Sequence, residues 1–226
     1  MSLLKKDNYF TSENKTIKVE KWSSILNNYY SKKKKISFQL QQSALLVIDM
    51  QNYFLDSSSH AYIPSSEIII KPIEKLINIF QRKNRPIIFT QYGISNNKIK
   101  ERTKMREWWG EELTFDNPLS EIYPSINTSN SIIIKKTTYD AFIGTDLQKI
   151  LEENKINQLI ITGVITHLCC ETTARSAFCR NFTVWMVIDC LASHNEELHL
   201  SSLKAASHGF AIPITSDKLL EKMENE

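Results

Sequence analysis

The chain has 226 residues, 42% of them hydrophobic and 23% charged, with a formal net charge of +3. This balance fits one well-packed globular domain, and no apolar run nears the roughly 20 residues that a bilayer-spanning helix needs. The start, Met-Ser-Leu-Leu-Lys-Lys-Asp, lacks a signal-peptide core, so a cytoplasmic location and free thiols for all four cysteines are expected.

Residues 1–40 read as a basic N-terminal arm, with nine lysines against three acids (Asp7, Glu13, Glu20), while the remainder, 41–226, carries −3 and reads as the main globular domain. The lysine run 32–35 is isolated and has no partner motif, so it reads as solvated arm rather than a nucleic-acid site. Trp22, Ile25, Tyr29 and Tyr30 give the arm apolar groups with which to pack on the domain or on a neighbouring subunit. From residue 43 onward, short apolar runs at 44–48, 86–89, 132–134, 159–161, 184–188 and 211–214 alternate with helical patterns at 66–82, 145–153, 169–180, 196–207 and 216–224. In the first helix Ile69, Ile73, Leu76, Ile77 and Phe80 recur on one face. Continuous apolar strands separated by helices predict a doubly wound, Rossmann-like α/β domain, with a parallel sheet of about six strands flanked by helices. Ligands in such folds bind beyond the carboxyl ends of the strands. Residues 93–127 are irregular and hold Trp108, Trp109, Pro118 and Pro124, as a lid or binding loop would.

Three strand ends carry reactive side chains: Asp49 after the first, Lys136 after the third and Cys169 after the fourth. Each has a plain structural reading: a capping acid, a solvated lysine beside Lys135, a space-filling cysteine. Their convergence on one sheet edge favours a reactive site. A cysteine where a strand hands over to a helix faces that helix's positive end, which can lower a thiol from about 8.5 to roughly 3.5–7.5. A thiolate at neutral pH is therefore the expectation. Cys170, one residue on and about 100° around a helix, cannot face the same pocket.

These residues resemble the isochorismatase-like cysteine hydrolase family. The matching pieces are Asp49-Met50-Gln51 with Phe54, Lys136 six residues before Phe142 in a Tyr-x-Ala-Phe setting, and Thr162-Gly163-Val164 followed by Cys169 and Thr173-Ala174-Arg175. The resemblance implies an isochorismatase-like hydrolase fold over roughly 40–220 and an Asp49-Lys136-Cys169 triad, with Asp49 as acid/base, Lys136 stabilising charge and Cys169 as nucleophile. It also implies a cis peptide at Val164–Ile165, an oxyanion hole from the N–H groups of Ile165 and Cys169, and assembly into a homo-oligomer, a dimer or tetramer. Arg102 and Trp109-Gly110 are similar to the substrate-binding loop of true isochorismatases, as are the segment 157–164 and the arm. Those enzymes hydrolyse a vinyl ether to release pyruvate, and they carry glycine where this chain has Cys169 and tyrosine where it has Ile165. Nicotinamidases, another branch, usually bind zinc through Asp-x-His after the second strand; here the residues are Thr90-Gln91-Tyr92-Gly93-Ile94. His167 reads as a residue of the helix entry rather than a catalyst.

The expected function is thus a metal- and cofactor-independent cysteine hydrolase that cleaves a C–N, amide-type bond of a small molecule through a thioester. Gln51, Phe54, Arg102, Trp109 and Tyr139 are the expected substrate contacts, with neither nucleic acid nor membrane as partner. The alternatives are an isochorismatase using Asp49 as acid with no covalent step, and a non-catalytic scaffold domain.

Overall fold

In a computed structural model that describes residues 5–30, 36–98 and 103–224, the strands are β1 Ser43–Ile48, β2 Ile87–Tyr92, β3 Ile132–Lys136, β4 Gln158–Val164, β5 Thr183–Ala192 and β6 Ile212–Ile214. They form one sheet in the order β3-β2-β1-β4-β5-β6, with every pairing parallel. Chain order reverses direction between β1 and β4, so a crevice opens where the loops after these two strands diverge. The central strands β1 and β4 are buried throughout, which is why their sequences are continuous rather than alternating.

Helices α3 Glu67–Arg82, α5 Leu147–Glu153, α6 Glu171–Cys179, α7 Glu196–Gly209 and α8 Ser216–Glu224 flank the sheet. The expected stripe of α3 is buried as read, with Pro72 added to it. Strand β5 runs four residues past the expected end because Asp189, which looks like a strand terminus, is buried within it. Its carboxylate accepts from the backbone N–H of Ser216 at 2.7 Å and from the Ser216 hydroxyl at 2.5 Å.

The arm folds back onto the domain. Its helix α1, Lys15–Tyr30, buries Trp22 and Leu26, and the Trp22 indole donates to Glu196 at the start of α7 at 2.9 Å. Of the expected anchors, Trp22 is enclosed, whereas Tyr29 is exposed. The lysine run 32–35 lies outside the described residues.

Within 93–127 the described residues form three short helical segments, Asn96–Lys98, Lys104–Trp109 and Pro118–Ser120. Helix α4, Lys104–Trp109, is capped by the Thr103 hydroxyl, which accepts from the Arg106 N–H, and closed by Gly110 in the left-handed region. A second short helix, α2 Asn52–Leu55, follows β1. No helix among the described residues is long and apolar enough to cross a membrane.

Candidate active site

The crevice between β1 and β4 gathers the three reactive side chains. Asp49 follows β1 with φ +49°, a conformation that an aspartate tolerates better than most residues and that recurs at functional sites. Its backbone N–H donates to the Thr90 hydroxyl at 3.0 Å, and that hydroxyl donates in turn to Asp49 Oδ1 at 2.5 Å. Thr90 of β2 thus fixes the carboxylate from the neighbouring strand.

Lys136, the last residue of β3, is fully buried. Its ammonium makes three contacts: Asp49 Oδ2 at 2.7 Å, the Thr138 carbonyl at 2.9 Å and Cys169 Sγ at 3.3 Å. A lysine ammonium has three protons, so all are used. Burial acts against this charge, but Asp49 and Cys169 override it and hold the Lys136 pKa above the ordinary lysine value. The solvated-lysine reading fits Lys135, whose ammonium lies 4.7 Å from the Phe115 ring centroid.

Strand β4 delivers the third group. Gly163 pairs with Ile48 at φ +108°, and a Cβ there would lie 2.0 Å from the Ile48 carbonyl oxygen. Only glycine lets the two strands approach so closely. The Val164–Ile165 peptide is cis. Beyond it, Thr166–Cys170 form a single π-type turn, and α6 starts only at Glu171. Cys169 therefore sits in the turn before the helix and not in the helix. From α6, the Thr173 hydroxyl accepts from the Ala141 N–H at 3.0 Å and donates to the Tyr139 carbonyl at 3.3 Å. This clamp ties the loop after β3 to the helix after the nucleophile, which accounts for a threonine four residues past Cys169.

The thiolate expectation is corrected here. Burial pushes the Cys169 thiol up to about 12; Lys136 pulls against this, and Asp49, to which the thiol is hydrogen-bonded, adds to the rise. Desolvation and Asp49 outweigh Lys136, so the resting group is a neutral thiol. Cys170 is fully buried and its thiol is also raised, first by burial and then by Cys169.

A cavity of about 420 Å³ opens onto Cys169. Phe54, Trp109 and Tyr139 of the expected contacts line it, as does Ile165 of the expected oxyanion hole, and Trp109 Nε1 donates to the Tyr139 hydroxyl at 2.6 Å. Gln51 is not brought to it. Its amide donates to the carbonyls of Tyr92 at 2.9 Å and Ser120 at 2.7 Å, and its oxygen accepts from the Tyr92 N–H at 2.9 Å. Gln51 therefore staples the ends of β1 and β2 to the 118–120 turn. Arg102 lies outside the described residues. Asp140 accepts from the Phe142 N–H at 2.9 Å and shapes its own loop.

The sequence reading missed Tyr53, His60, Tyr92, Glu111, Glu112 and, from the arm, Lys6, all of which line the cavity. Only the irregularity of 93–127 pointed to the acids. His167 and His194 also line it; burial lowers both to about 4, so they are neutral at pH 7, and His167 Nδ1 lies 2.7 Å from the Ser193 hydroxyl. The zinc arrangement of nicotinamidases does not fit: β2 ends in Gln91-Tyr92, and no three His, Cys, Asp or Glu among the described residues group to hold a metal.

Comparison with known proteins identifies the family and the fold. The Isochorismatase domain model matches residues 43–218. The chain is 36% identical to Nicotinamidase 3 of Arabidopsis thaliana over 201 residues, covering 87% of this chain and 96% of that protein. It is 32% identical to Enterobactin synthase component B of Escherichia coli strain K12 over 185 residues, 81% of this chain but 64% of that longer protein. A cysteine hydrolase from Pseudomonas syringae pv. phaseolicola 1448A superposes with a TM-score of 0.81 at 23% identity, over 86% of this chain and 99% of that one. The chain is a hydrolase of the isochorismatase family.

Proposed function

We propose that the protein hydrolyses a C–N, amide-type bond of a small molecule through a thioester on Cys169. The observation that carries this is the buried set Asp49–Lys136–Cys169, in which one ammonium bridges a carboxylate and a thiol at 2.7 and 3.3 Å. An isolated buried pair of this kind contributes little to stability by itself, whereas cysteine chemistry needs all three groups. The 36% identity to a protein named as a nicotinamidase supports an amide substrate.

The chemistry follows from the resting charges. As a carbonyl enters above Cys169, the thiol passes its proton to Asp49, and Lys136 stabilises the emerging thiolate. Sγ bonds to the carbonyl carbon, and the N–H groups of Ile165 and Cys169 receive the oxyanion, a contribution of about 3–4 kcal/mol per donor in other systems. The C–N bond breaks as Asp49 returns the proton to the departing nitrogen. A water then loses a proton to Asp49 and attacks the thioester; the acid leaves, and Cys169 recovers its proton.

The reading is tested by turnover of an amide panel in Cys169→Ala and Cys170→Ala. Loss in the first and retention in the second are expected; the reverse would overturn it. Pyruvate release from isochorismate that needs Asp49 but survives Cys169→Ala would instead favour vinyl-ether hydrolysis.

A further inference from the structure

We infer that the cavity selects small molecules bearing a cationic group, which Glu112 receives among the aromatic rings of the wall. The inference rests on the hydrolase reading for the reacting end of the substrate and concerns its other end.

The wall carries the rings of Tyr53, Phe54, Tyr92, Trp109 and Tyr139. Their polar tips are largely committed: Tyr53 donates to Glu111 Oε1 at 2.5 Å and Trp109 to the Tyr139 hydroxyl. What they offer a ligand is chiefly ring faces, which attract cations. Among the described residues, Lys136, His60, Glu111 and Lys6 have partners as well. Lys136 is committed to Asp49, Thr138 and Cys169. His60 pairs with Glu111, and Lys6 donates to the His60 carbonyl at 2.7 Å.

Glu112 differs. Its Oε1 accepts from the Thr103 hydroxyl, but among the described residues its buried Oε2 has no hydrogen-bond partner. A buried carboxylate oxygen without a donor is unfavourable, and a ligand N–H or ammonium would supply the donor. Tyr92 links the two ends of the site, since its ring lies 5.3 Å from Lys136 Nζ and it feels the charge of Glu112. A compact molecule can thus present a carbonyl to Cys169 and a cation to Glu112.

The test alkylates Cys169 of the full chain with three reagents: neutral iodoacetamide, anionic iodoacetate, and an iodoacetamide bearing a trimethylammonium group. In each case the thiol passes its proton to Asp49 and the sulfur displaces iodide to form a thioether, so no hydrolysis is required, and a failure here is distinguishable from a failure of the Cys169→Ala test. Rates come from peptide mass mapping, normalised to exposed Cys179 in the same digest. The expected result is a Cys169 rate about tenfold higher with the cationic than with the neutral reagent, and lowest with iodoacetate. In Glu112→Gln the cationic preference should fall to within about twofold of none. Equal rates in the wild type, iodoacetate fastest (Lys6 setting the polarity), or an unchanged preference in Glu112→Gln would each overturn the inference. If Glu112→Gln fails to fold, the wild-type ranking and its decline with added salt decide the matter alone.

Discussion

Replacing Lys136 by methionine keeps most of the side chain's volume but removes the donor at the centre of the site. Three acceptors then lose their partner: Asp49 Oδ2, the Thr138 carbonyl and Cys169 Sγ. Asp49, itself fully buried, keeps Thr90 at its other oxygen and the Cys169 thiol as its remaining donors. Breaking a buried ion pair from one side costs about 3–5 kcal/mol. At about 2–4 °C per kcal/mol for a chain of this size, the melting temperature should fall by roughly 6–20 °C. The double variant Asp49→Asn/Lys136→Met removes both charges, so its loss should be smaller than the sum of the single losses by about 2 kcal/mol or more. Urea unfolding at pH 7 measures both. The pH matters because Lys136 has a raised pKa in the fold: its stabilisation is complete below the unfolded value of about 10.4 and is lost as pH rises beyond that. A single Lys136→Met variant within about 1 kcal/mol of wild type would refute the assigned ion-pair geometry.

Other perturbations test neighbouring parts of the site. Gly163→Ala places a methyl 2.0 Å from a backbone carbonyl at φ +108° and should cost about 2–6 kcal/mol in denaturation, from backbone strain plus overpacking; a loss below about 1 kcal/mol contradicts the close β1–β4 approach. Thr90→Val removes the hydroxyl that holds Asp49 and should lower kcat about 10- to 150-fold, the value of one hydrogen bond to a charged group; steady-state kinetics on any accepted amide checks it, with unchanged kcat as the contrary result. His199 is fully buried and lowered to about 3 by burial. Its unfolded form takes up a proton below about pH 6.5 while the native form does not, so stability is lost as pH falls. Between pH 7 and pH 5 His199 alone accounts for about 2 kcal/mol; a His199→Phe variant should show a shallower acid limb in urea unfolding, and an unchanged limb would exclude this assignment.

The sheet was legible because its central strands are buried on both faces, leaving continuous apolar runs such as Leu45-Leu46-Val47 and Leu159-Ile160-Ile161. Strand ends on one edge then located Asp49, Lys136 and Cys169. What could not be read were effects that depend on distance in space. The thiol's state is set by burial against a carboxylate from β1, whereas the sequence displayed only the nearby helix start. Gln51 looked like a substrate contact because it follows Asp49, but its partners come from residues 92 and 120. Glu111, Glu112 and Lys6 reach the cavity through an irregular loop and the arm, where no periodicity announces a side chain's direction. The apolar run 184–188 stops short of the end of its strand because the next residue, Asp189, is buried by a partner, Ser216, that lies 27 residues away.

The central claim is a covalent intermediate on Cys169, and rapid acid quenching of the wild-type protein during turnover of an amide tests it most directly. Intact mass followed by fragment mapping across Cys169-Cys170 should show the acyl group, with the nitrogen-bearing fragment lost, on Cys169 alone and absent from Cys169→Ala. An acyl group on Cys170, or sustained turnover by Cys169→Ala with no adduct anywhere, would contradict the account.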